Sequence, residues 1–161
     1  MKTNEKIEAL KHTMDRYDHY FNSVNNKGSF YLALNTFLLG GIVTGFYSLK
    51  ASVAISLLVY AGLTCCLLSL GFTLWAIFPF LSKRNSVNDS VLYFGGVSNY
   101  SHNIFKKMYD EITEDNLYED YIRQVHLLAI GLHHKFRRLQ VATYFLVGCL
   151  ICIAAGILII K

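Results

Sequence analysis

From Gly28 to Leu49, from Ser52 to Ser82 and from Leu139 to Ile160 the chain carries no charged side chain. A helix needs about 20 predominantly apolar residues to cross a bilayer core of about 30 Å. Each run therefore predicts a transmembrane helix. Only Lys50 and its neighbours separate the first two, so they form a hairpin with a tight turn. A single apolar run could be a soluble core helix, but three of this length argue against it. The second run exceeds one bilayer thickness, which predicts a tilted helix followed by a turn near Phe78–Ser82.

The polar segments have a pattern of their own. Ile7, Leu10, Met14, Tyr17, Phe21 and Val24 recur at spacings of 3 and 4, the a/d seam of a helix that packs on other helices. The seam fits a helix lying on its own protein or on the membrane surface, and equally a bundle between chains. The helix either continues through Asn22–Ser29 or breaks at Gly28. Residues 83–97 read as a loop with a turn at Gly95-Gly96. Ser98 to Ile112 reads as a helix, and Thr113 or Asp115 is a suitable cap for the next one. Tyr121, Val125, Leu128, Leu132 and Leu139 then give a second a/d-like seam, which should pair with the N-terminal helix and run into the third span. Pro79 ends or kinks the second span. The expected fold is all-α: a three-span transmembrane protein with a cytoplasmic helical bundle. Its parts are an amphipathic helix at 1–27, spans at 28–49, 52–82 and 139–160, and a helical segment at 83–138 between the last two.

Composition supports this picture. Of 161 residues, 53% are hydrophobic and one is proline, which suits a nearly all-helical chain. The placement of the positive charges matters more than their sum. Five Lys and Arg precede the first span, eight lie between Lys83 and Arg138, and Lys50 and Lys161 stand alone. The positive-inside rule then puts the N-terminus and 83–138 in the cytoplasm and the C-terminus on the far side. The run order does not fit a signal peptide.

Within the spans, Asn35 is an amide that needs a partner and should face another helix. Gly41 and Gly45 form a small-residue face suited to close helix contact or to lining a pore. Trp75 and Phe78 suit an interfacial position. Cys65, Cys66, Cys149 and Cys152 all lie in spans and read as small apolar fillers, not as a disulfide framework. No phosphate loop, nucleophile elbow or zinc-type His-Glu-x-x-His occurs, so no enzyme is expected. His126, His133 and His134 could share a helix face but lack further metal ligands. The acidic residues Asp110, Glu111, Glu114, Asp115, Glu119 and Asp120 read mostly as a solvated helix face. Lys27, Arg84, Lys106, Lys107, Arg123, Lys135, Arg137 and Arg138, with Tyr93 and Phe94, could bind phosphates and stack bases. Positive-inside bias alone produces the same set.

Asn25-Asn26-Lys27-Gly28-Ser29-Phe30-Tyr31-Leu32-Ala33-Leu34-Asn35 resembles the Asp-x-Lys-Ala-Ser-x-x-Leu-x-x-Asn approach to the first span of the Pycsar effector transmembrane family. Pro79 and then Leu92-Tyr93-Phe94-Gly95-Gly96-Val97 resemble that family's Pro … Leu-x-Phe-Gly segment. Asp120-x-x-x-Gln124-Val125-His126, followed by Lys135-Phe136-Arg137-Arg138-Leu139, resembles its pattern before the last span. Asn25 stands where the family has Asp, and Gly28 where it has Ala. The resemblance implies a bacterial anti-phage effector that oligomerises and compromises the inner membrane. It further implies control by a cyclic nucleotide or nucleotide oligomer from a neighbouring cyclase or nucleotidyltransferase, as activator or as inhibitor. The alternative is a non-conducting membrane-anchored scaffold for a soluble partner.

Overall fold

The computed structural model describes residues 3–48, 52–79 and 90–160, apart from the side chains of 46–48 and 160. The described residues form five helices and no strand: α1 (Thr3–Ser48), α2 (Val53–Ile77), α3 (Phe94–Val97), α4 (His102–Glu111) and α5 (Glu114–Ile160). Three of them, α1, α2 and α5, are long and apolar enough to cross a membrane. At 1.5 Å per residue the 25 residues of α2 reach roughly 37 Å, more than a bilayer core.

Both long helices run unbroken where the sequence allowed a break. α1 continues through Gly28, and α5 passes from its polar half into its apolar half with no proline to remove a backbone donor. Thr113 caps α5 by accepting from the Asn116 amide at 3.3 Å, and Ser101 caps α4 by accepting from Ile104. α2 stops at Ile77, two residues before Pro79, with Phe78 as its C-cap. Two local expectations are revised. The segment before Ser98 holds a one-turn helix at Phe94–Val97, and the next helix starts only at His102. The Lys50 turn, the Phe80–Ser82 end of the second run, and Lys83 and Arg84 lie outside the described residues.

The chain divides into two compact units, one within Met1–Phe21 and Pro79–His133 and the other within Asn22–Phe78 and His134–Lys161. In the first, the predicted seams meet. Ile7 and Leu132 are buried, and Leu10, Met14, Tyr17, Tyr121, Val125 and Leu128 are half-buried. Lys6 and Lys11 of α1 sit over the rings of Tyr118 and Tyr121 of α5, at 5.4 and 5.7 Å. In the second unit α1, α2 and α5 pack together. Phe72 stacks on Phe145 at 5.7 Å, and the Tyr31 hydroxyl hydrogen-bonds that of Thr143 at 3.0 Å. A Cβ on Gly28 would lie 2.6 Å from Ile77 Cγ1, so α1 approaches α2 there at a distance that only glycine allows without movement.

Candidate functional site

Two groups of side chains in the second unit join all three long helices. The first is in the apolar interior. Asn35, Ser69 and Thr73 are wholly buried. Asn35 Nδ2 donates to Ser69 Oγ at 3.0 Å, and Ser69 Oγ donates to the Ala142 carbonyl at 3.0 Å. Thr73 turns back on the Ser69 carbonyl, and the Cys66 thiol donates towards Asn35 O and Oδ1 at 3.4 and 3.5 Å. In hydrocarbon such groups need internal partners, and no buried side-chain polar atom among the described residues lacks one. The partner predicted for Asn35 is therefore found, on α2. The four thiols are free, and Cys66 and Cys149 are fully buried fillers.

The second group gathers at the C-terminus of α2, where the last carbonyls have no intrahelical donor. Lys135 Nζ of α5 donates to the Ile77 carbonyl at 3.1 Å and to Asn25 Oδ1 of α1 at 3.4 Å. Arg138, one turn on, donates to the Trp75 carbonyl at 3.2 Å and lies 4.3 Å above the Trp75 ring. Two cations at the negative end of a helix dipole are stabilising. Lys135 is only 4% exposed, and that burial, with Arg138 nearby, pushes its pKa below the ordinary lysine value.

The first unit has a polar centre that the sequence reading missed. The sequence pattern puts Asp120 on a mostly solvated face, yet it is buried, as are Ser90 and Gln124. Its Oδ2 accepts from the Ser90 hydroxyl and the Val91 amide at 3.0 Å, and from the Leu92 amide at 3.3 Å. Ser90 Oγ in turn accepts from Gln124 Nε2 at 3.1 Å and from the Leu92 and Tyr93 amides. This carboxylate fixes the chain leading into α3. The signal for it was the Asp120-x-x-x-Gln124 pair, one helical turn apart on one face. The other five acids of the segment are exposed, as expected.

The remaining predicted residues are scattered. Lys106 and Lys107 are exposed on α4, with Lys107 3.9 Å from Glu111. Arg123 lines a cleft of about 390 Å³ beside Glu111, Glu119 and Asp120, an acidic setting for a phosphate. Lys27 is exposed on α1, and Arg84 lies outside the described residues. Lys135 and Arg138 are engaged with α2, and exposed Arg137 lies beside Arg138 in a separate cleft. Within the second unit the structure gathers Lys135, Arg137 and Arg138 at the C-terminus of α2 and the adjoining cleft. Gly41 and Gly45 make no close helix contact with the described residues; an added Cβ meets none of their atoms within 4 Å at either. Both line an apolar groove of about 300 Å³. The close approaches fall at Gly28 and, against Cys152, at Gly62. His126, His133 and His134 are exposed, and no group of three metal-ligating residues occurs among the described residues.

These features define a three-span helical membrane protein whose spans are tied by internal polar contacts. A family described as the Pycsar effector protein domain matches residues 9–160, so the chain belongs to that family. The Pycsar effector protein GmPycTM of Gulbenkiania mobilis is 26% identical over 158 aligned residues, covering 81% of this chain and 80% of that protein. No solved structure matches. Membership implies an effector of anti-phage defence, associated with a membrane and with cyclic-nucleotide signalling from a cyclase. The family is not a known enzyme class.

Proposed function

We propose that the chain assembles as a homo-oligomer in the bacterial inner membrane and breaches it, as a pore or by disruption, under control of a nucleotide signal. N-terminus and 83–138 are taken as cytoplasmic from the positive-inside count. The observation that carries the assembly is outside the apolar spans. Phe94, Ile104 and Tyr109 of the first unit are 67%, 53% and 59% exposed, more apolar surface than water-facing helices need. A second copy covers it. Assembly is also needed for conduction, because Asn35, Ser69 and Thr73 are spent on one another and offer an ion no polar face within one chain.

The nucleotide contacts fall to Lys106 and Lys107, exposed on α4 and outside the acidic cleft that Arg123 lines. The phosphates are bound between copies, and the ligand couples binding to assembly. It acts only by binding one state better than the other. Ion flux from liposomes holding the purified protein tests this, before and after cyclic mononucleotides and short nucleotide oligomers. Flux on addition means an activated effector; resting flux that a nucleotide blocks means a channel held shut. No flux under any condition refutes the reading in favour of a scaffold.

A further inference from the structure

A cleft of about 240 Å³ opens between α2 and α5, lined by Phe72, Trp75, His134, Arg137, Arg138 and Val141. Its composition is amphiphilic. The rim carries two arginines and a histidine, and the wall is aromatic and aliphatic. Arg137 and Arg138 are also the last charges on α5 before the charge-free run Leu139–Ile160. The cleft therefore lies where a span passes from polar to apolar, the level at which lipid headgroups meet a helix.

Charge balance singles out its occupant. The second unit spans Asn22–Phe78 and His134–Lys161, and neither stretch contains an Asp or Glu. Lys27, Arg137 and Arg138 in that unit thus have no carboxylate in it to answer them. Lys135 and Arg138 are directed at α2 carbonyls, which carry only partial charge. Arg137 is exposed and makes no ion pair with any described residue. An arginine fork donates two parallel hydrogen bonds to a phosphate, and an acyl chain fits the Phe72 and Val141 wall below it.

We propose that this cleft binds an anionic phospholipid, with Arg137 on the phosphate and Arg138, held on Trp75, completing the rim. The site is independent of the nucleotide reading, which uses other residues. It supplies from the bilayer the counter-charge that this unit lacks.

Trp75 is the sole tryptophan of the chain and lies in the cleft, so its fluorescence reports occupancy directly. The full chain is placed in phosphatidylcholine vesicles containing a small fraction of lipid brominated on its acyl chains, which quenches tryptophan on contact. Brominated phosphatidylglycerol is expected to quench Trp75 more strongly than brominated phosphatidylcholine at equal fraction. Arg137→Ala is expected to lower that preference about fivefold, the equivalent of ~1 kcal/mol for one arginine at an anionic surface. Arg137→Lys, which keeps the charge but not the fork, is expected to retain part of it. Equal quenching by the two lipids overturns the proposal, and so does a preference unchanged in Arg137→Ala. A preference abolished by millimolar inorganic phosphate would assign the cleft to a soluble anion and overturn the lipid. Because the wild-type comparison stands alone, a variant that fails to fold does not rescue the idea.

Discussion

The contact chain Asn35–Ser69–Ala142 predicts unequal costs for its two side chains. Ser69→Ala removes the donation to the Ala142 carbonyl and also strands Asn35 Nδ2, whose acceptor was Ser69 Oγ. Two intramembrane hydrogen bonds at ~0.6 kcal/mol each, plus about 1–3 kcal/mol for an orphaned buried donor, give roughly 2–4 kcal/mol. Asn35→Leu has nearly the same shape and strands nothing. Ser69 keeps its bond to Ala142, and the Cys66 thiol keeps the backbone carbonyl of residue 35. Its cost should be about 1 kcal/mol. The double variant then has no orphaned donor and should be more stable than Ser69→Ala alone. The coupling energy from such a cycle, the orphaning penalty plus the Asn35–Ser69 bond that both singles lose, is expected at roughly 2–4 kcal/mol. The assay is loss of helicity on titrating SDS into detergent-solubilised protein, for wild type, both singles and the double. Costs that simply add, or an Asn35→Leu as damaging as Ser69→Ala, would refute the reasoning.

Other consequences can be checked in the same preparation. Because the Lys135 pKa is lowered in the folded protein, the unfolded chain binds that proton more tightly. Stability should therefore rise as pH climbs from the lowered value towards the ordinary 10.5, and Lys135→Met should flatten that portion of the melting-temperature profile. Asn25→Asp places a carboxylate on the 3.4 Å Lys135 contact and should raise stability by about 1 kcal/mol, read as a higher melting temperature. Asp120→Ala removes the acceptor of one hydroxyl and two amides and should cost roughly 2–4 kcal/mol, with faster proteolysis at 90–97. Gly28→Ala should cost about 1–3 kcal/mol by driving a methyl into Ile77, and the further change Ile77→Ala should recover much of that loss in thermal melts.

The three spans could be read directly from the chain, because crossing a bilayer depends on the length and polarity of a local run and on nothing distant. The seams of α1 and α5 were equally local, set by spacing, whereas the sequence left α1 free to continue or to break at Gly28 and the structure runs it through. The need of Asn35 for a partner was also legible, since an amide in hydrocarbon has no other solution. Which group answers it was not: Ser69 lies 34 residues away, and only the packing of α1 on α2 brings them to 3.0 Å. The same holds for Lys135 and Arg138. As residues they are two more cations at a membrane boundary, and charge counting cannot separate them from Arg137. Tertiary structure sets them on the open carbonyls of α2 and leaves Arg137 exposed. Asp120 shows the limit most plainly. Its neighbours in sequence are solvated acids, and its burial comes from Ser90 and the amides of Val91 and Leu92, some thirty residues upstream. The sequence by itself determined what each segment must avoid, water or hydrocarbon, because that is a property of the segment. Only the tertiary structure decided which polar groups satisfy one another, because a hydrogen bond depends on where two distant backbones have been brought.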